Sequence, residues 1–217
     1  RRQSSAEWVA RAERLDREVH SSGSRLMLVR WLAASWRLDE AEAALDTILL
    51  EEDKLMGTDT VAHACLSAGL LDQAITLFEK NLADSERILG PDHPDTLTSR
   101  NNLARAYLSA GMLEQAINLH EQNLADIGRI LGPSHPDILA ARNNLARAYL
   151  SAGMLEQAIN LHEQISTDFE RVLGPDHPDT LASRNNLARA YQDADRLEQA
   201  IPLFEQNLTD SEHVLGP

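Results

Sequence analysis

Three histidines, His93, His135 and His177, stand 42 residues apart, each between an Asp or Ser and a Pro-Asp pair. Histidine, aspartate and serine ligate metals and carry nucleophilic catalysis, so spacing decides what these residues can do. Each histidine is alone in its segment, with no second His or Cys at chelating distance. A place in the first turn or entry loop of a helix accounts for them. His120 and His162 repeat the same interval, and the position is Phe78 and Phe204 in sister segments. Part-buried packing is their expected role. The single cysteine, Cys65, lies in an apolar stretch and reads as a small buried hydrophobe. One cysteine excludes an internal disulfide framework and a Cys-rich metal site. Neither a G-x-x-x-x-G-K-[ST] phosphate loop nor a G-x-S-x-G nucleophile elbow occurs. The expectation is a chain with no enzymatic activity, catalytic residues, cofactor or metal.

Amides and guanidiniums make a second pattern. The stretch RNNLARAYLSAGMLEQAINLHEQ fills 100–122 and recurs letter for letter at 142–164, and a degraded copy begins at Arg184. On a helix, Asn101, Arg105 and Leu108 share the face opposite Leu103 and Tyr107, flanked by Asn102. Their equivalents are Asn143, Asn144, Arg147 and Leu150, then Asn185, Asn186, Arg189 and Gln192, with His63 standing in for Arg105 one period upstream. Amides can bond an extended peptide backbone, and guanidinium forks onto carboxylates. These thirteen residues are the candidate partner-binding set. A structural role stands beside that reading. Arginine is a good helix former, Arg105 can pair with a carboxylate of the next repeat, and one Asn of each pair can stitch neighbouring helices.

The elements that position these residues follow from the period. Leu-Gly-Pro recurs at Leu89, Leu131, Leu173 and Leu215, always 42 apart. A fixed period of a few tens of residues signals a stacked repeat architecture. Each unit reads as two helices. In the unit from Asp92, the Asp/Ser position (92, 134, 176) predicts an N-cap, with Asp95 completing a capping box and Pro94 in the first turn. The first helix runs to about Ala110, and Gly111 supplies a left-handed stop. The second starts near Leu113, carries Ala116, Ile117, Leu119, His120 and Leu124 towards a core, and ends near Ile130-Leu131. Neither helix can bury its apolar stripe alone, so stacking must do so.

The spacing Arg100-x2-Leu103-Ala104-x2-Tyr107, then Ala116-x3-His120, resembles the tetratricopeptide repeat. The longer period, with LGPDHPDT and NNLA, is similar to the repeats of kinesin light chains and of bacterial, often actinobacterial, proteins that carry the same unit. The eight residues beyond the usual period belong in a longer second helix and its exit. The first core position departs from the pattern, because Arg100, Arg142 and Arg184 stand where a large apolar residue is usual. Their charged heads must snorkel or pair. The resemblance implies an all-α, right-handed α–α superhelix of about five helix pairs plus an N-terminal helix. The expected boundaries are 1–21 for an amphipathic helix (Trp8, Ala12, Leu15 and Val19 on one stripe, Ser4 and Glu7 as a cap), 22–56 for a divergent repeat with helices around Ser24–Ser35 and Leu38–Glu52, then repeats at 57–91, 92–133, 134–175 and 176–217.

The resemblance also implies a concave groove lined by first helices that holds short acidic or aromatic-acidic peptides. In bacterial arrays of this kind it implies the sensor or regulatory part of a larger signalling protein, and the chain's start at Arg1 and stop at Pro217 within a repeated motif read as a piece of one. Charge narrows the partners. Twenty Lys and Arg against 34 Asp and Glu give a net charge of −14, which repels nucleic acid and anionic membranes. No run of about 18 apolar residues is present. The expected partner is a protein or peptide, acidic residues included, in the cytoplasm. The alternative is a self-assembling scaffold joined through exposed terminal repeats.

Overall fold

The computed structural model describes residues 22–48, 50–132 and 135–215. Among them are ten α-helices and no strand: α1 Ser22–Ala34, α2 Leu38–Leu45, α3 Glu51–Ser67, α4 Leu71–Ile88, α5 Pro94–Ser109, α6 Leu113–Leu131, α7 Pro136–Ser151, α8 Leu155–Leu173, α9 Pro178–Asp193 and α10 Leu197–Leu215. The all-α, helix-pair class expected from the period is the observed one. The helix expected over residues 5–20, with its cap and tryptophan, lies outside the described residues.

The chain divides into two compact units at Met112/Leu113. In the first, α1 packs on α2 and α3, α3 on α4, and α4 on α5. In the second, α6 packs on α7, α7 on α8, α8 on α9 and α9 on α10. The cores are built from the predicted stripes. Phe78, Val61, Ala62 and Cys65 are buried in the first unit. In the second, Ile159, Leu187, Ala190, Tyr191 and Ala200 form one cluster, with Leu150, Leu203 and Phe204 packed against it. Burying each such Ile or Leu stabilises the fold by about 1.5–3 kcal/mol. A Cβ built on Gly57 falls 2.7 Å from a Leu45 methyl, so a larger residue there would displace the Leu45 side chain between α3 and α2.

Two local expectations shift. The cap of α5, α7 and α9 is the histidine itself. Nδ1 of His93, His135 and His177 accepts the backbone N–H of Asp95, Asp137 and Asp179 at 3.2, 3.3 and 3.2 Å. The imidazole reaches the first-turn donor that the residue before it was expected to satisfy, and Pro94, Pro136 and Pro178 follow where a missing N–H costs nothing. The helix expected at Leu38–Glu52 ends at Leu45, and α3 begins at Glu51. Glu51, Glu52 and Asp53 are three successive carboxylates, which favour the positive N-terminus of a new helix over the negative end of an old one.

Candidate partner-binding surface

The two arginine series of the first helices separate by one turn. Arg100, Arg142 and Arg184 point inward. Arg184, only 2 % exposed, bonds Asp210 at 2.5 Å and lies 3.8 Å from Glu170. Arg142 bonds Asp168 at 2.7 Å, and Arg100 bonds Glu86 at 3.3 Å. Each therefore ties α5, α7 or α9 to a flanking second helix, which is how a charged group can sit at a core position. Arg105, Arg147 and Arg189 point outward. All three are exposed, and no ion pair or hydrogen bond engages their guanidinium groups within the described residues, whereas exposed Arg87 and Arg171 and half-buried Arg196 hold Glu51 and Asp84, Asp168, and Glu156 respectively.

Neighbours of the outward series differ between helices. On α9, Asn185, Asn186 and Gln192 are exposed with Arg189 and make one polar stripe. On α7, Asn143 and Asn144 are half-buried beside Arg147. On α5, Asn101 is half-buried, but Asn102 is buried and donates its amide to Asp59 Oδ1 on α3 at 3.0 Å. Asn102 thus joins first helices of successive repeats and is not presented to a partner. The aliphatic candidates are placed otherwise too. Leu150 packs on the Ile159 cluster beneath α9, and Leu108 is half-buried. His63 stands 3.6 Å from Asp59 Oδ2 and meets Phe78 edge-on, ring centroids 5.1 Å apart.

Sequence reasoning treated Tyr107, Tyr149 and Tyr191 as packing alone. Each also donates its hydroxyl to a carboxylate 28 residues earlier: Glu79 at 2.7 Å, Glu121 at 2.6 Å and Glu163 at 2.5 Å. Burial, then the carboxylate bond, pushes each phenol up to about 12. The signal was present in sequence as a glutamate at one fixed offset before each tyrosine. Also unanticipated is a cavity of about 440 Å³ in the first unit, between α3, α4 and the start of α5. Glu52, Leu55, Met56 and Asp59 of α3, Asn81 and Ser85 of α4 with Leu89 just beyond it, and His93, Asp95, Thr98 and Ser99 line it. No group of three or more His, Cys, Asp or Glu among the described residues is arranged to hold a metal, and no described helix is long and apolar enough to cross a membrane.

A family model described as tetratricopeptide repeat matches residues 54–125, 110–168 and 152–209. The nearly identical TPR-like repeats of a kinesin light chain-like protein from Podosopora anserina are 30% identical, with a TM-score of 0.76 over 95% of this chain and 99% of that one. BtubC (BKLC) from P. vanneervenii is 18% identical, with a TM-score of 0.74 over 98% and 90%. YrrB, described as a TPR protein with an unusual peptide-binding site, is 13% identical, with a TM-score of 0.58 over 92% and 91%. The last two likenesses bear on fold alone. No curated protein sequence matches the chain.

Proposed function

The chain belongs to the tetratricopeptide repeat family, and from that premise we propose that it is a protein-interaction module whose outward first-helix stripes receive an extended, acidic peptide. One observation carries the reading. Within one sequence, arginines at the inner position are all paired, and those at the outer position, Arg105, Arg147 and Arg189, are exposed and engaged by nothing described. In a chain of net charge −14, cations left unneutralised suit carboxylates from outside. Asn143, Asn185, Asn186 and Gln192 lie beside them to bond peptide N–H and C=O groups. YrrB's peptide-binding site supports the class of partner by analogy only. On this reading the array is the sensor or regulatory part of a larger signalling protein, as the likeness of its repeats to bacterial arrays suggests.

The test uses fluorescein-labelled peptides of about twelve residues, acidic, basic or neutral in a Gly/Ser background. Acidic peptides bind best, and salt weakens them. The variant R105E/R147E/R189E loses at least about tenfold in affinity, or about 1.4 kcal/mol, with circular dichroism and Tm unchanged. Unaltered affinity makes these arginines mere helix formers.

A second reading, self-association, has its own observation. Ile201 on α10 is 51 % exposed, while its equivalent Ile159 is 2 % exposed under α9. Leu197 and Leu208 are exposed on the same helix. Sedimentation that stays monomeric at high protein concentration removes this reading.

A further inference from the structure

The outward stripe changes sign along the chain. Where α5, α7 and α9 carry Asn101, Asn143 and Asn185, α3 carries Asp59, and where they open on proline, α3 places Glu52. Both acids line the cavity of about 440 Å³ in the first unit, and Asp95 faces them from α5. That volume lies within the range of about 300–1,000 Å³ usual for ligand pockets.

The floor points to what would fill it. Asn81 is 3 % exposed, and its amide N–H donates to Ser99 Oγ at 3.4 Å. Its Oδ1 is buried and has no hydrogen-bond partner. An orphaned buried acceptor destabilises the fold, so an occupant whose donor reaches it recovers that loss. Acceptors dominate the pocket's polar lining: the carboxylates of Glu52 and Asp95, that of Asp59 held by Asn102 and lying 3.6 Å from His63, and the Asn81 carbonyl, with the His93 imidazole beside them. Its apolar lining comes from Leu55, Met56 and Leu89. Methylenes along such a wall with a cationic donor at the tip describe a lysine or arginine side chain.

We propose that the cavity between α3, α4 and α5 is a specificity pocket for one basic side chain of a partner peptide. The pocket presupposes a peptide partner, as the interaction-module reading does, but stands apart from the guanidinium stripe.

The test is a nuclear magnetic resonance titration of the full, isotope-labelled chain with N-acetyl-arginine-N′-methylamide. The expected result is saturable shifts at the Asn81 side-chain amide and the Ser99 and Asp95 backbone amides. Glu52 and Asp95 are exposed, so E52Q/D95N keeps the fold, and it weakens the response about tenfold. N-acetyl-norleucine-N′-methylamide leaves these signals unmoved. Equal shifts with the norleucine compound, no shift with the arginine compound, or unaltered binding by E52Q/D95N each overturns the proposal. So does spermidine saturating the same signals at a tenfold lower concentration, which would make the occupant a free polyamine. R147E/R189E lies in the other unit and retains the arginine response, so failure of the acidic-peptide reading is scored separately.

Discussion

At the residue scale, position within a turn decides which charge is structural. Arg184 and Arg189 lie on one helix, yet the first is sealed against Asp210 and the second reaches solvent. The sequence made the contrast legible, since a helical period separates an inner from an outer face. It did not name the inner partners, because Glu86, Asp168 and Asp210 come from helices whose register only packing sets. The cavity was hidden for the same reason: Asn81 is one polar letter in an amphipathic helix until its carbonyl is seen to lack a donor. His162 carries a prediction. It is 2 % exposed with Nδ1 unpartnered, and burial holds its pKa below the usual imidazole range. The folded state therefore prefers neutral His162. Its contribution is intact above the unfolded value of about 6.5 and is lost as pH falls through the lower folded value. Phenylalanine is native at the equivalent Phe78, which is fully buried. H162F should raise stability by about 1–2 kcal/mol and flatten the acid limb of Tm against pH. Urea melts between about pH 5 and 7.5 check this, and an unaltered acid limb would acquit His162.

At the scale of elements, helix limits were readable where glycine and proline punctuate the chain. The observed α5, Pro94–Ser109, and α6, Leu113–Leu131, follow the forecast closely, and Gly111 takes φ 73° as a left-handed stop. Limits were misread where carboxylates carry the signal, at Glu51, and where an imidazole takes over a cap usually given to Asp or Ser. The degraded third copy shows what punctuation is worth. Asp195 occupies the place of Gly111 and Gly153 and holds φ 58°. An L-residue pays roughly 1–2 kcal/mol there, aspartate at the lower end. Asp195→Gly should raise stability by about 1 kcal/mol, read as a shift in the midpoint of a denaturant melt at constant m-value. A neutral or negative shift would mean that Asp195 makes compensating contacts with the α9–α10 turn.

At the scale of the whole molecule, the 42-residue period fixed the class before any local motif, since each helix pair must bury its stripe on a neighbour. Pairing of α3 with α4, α7 with α8 and α9 with α10 follows that rule. The surface chemistry was half legible. Repetition of NNxxR marked the cationic stripe, but the same logic hid the departure at Asp59, which reads as decay of a motif and lines the cavity together with Glu52. Docking of partner peptides on the outward first-helix stripes is the pivotal proposal. It is tested most directly by photo-crosslinking with the tightest acidic peptide, bearing one benzophenone, followed by mass-spectrometric mapping of the adducts. Adducts are expected within 98–109, 140–151 and 182–193, suppressed in R105E/R147E/R189E. Adducts confined to the second helices, within 113–131 and 155–173, and indifferent to those arginines would contradict it.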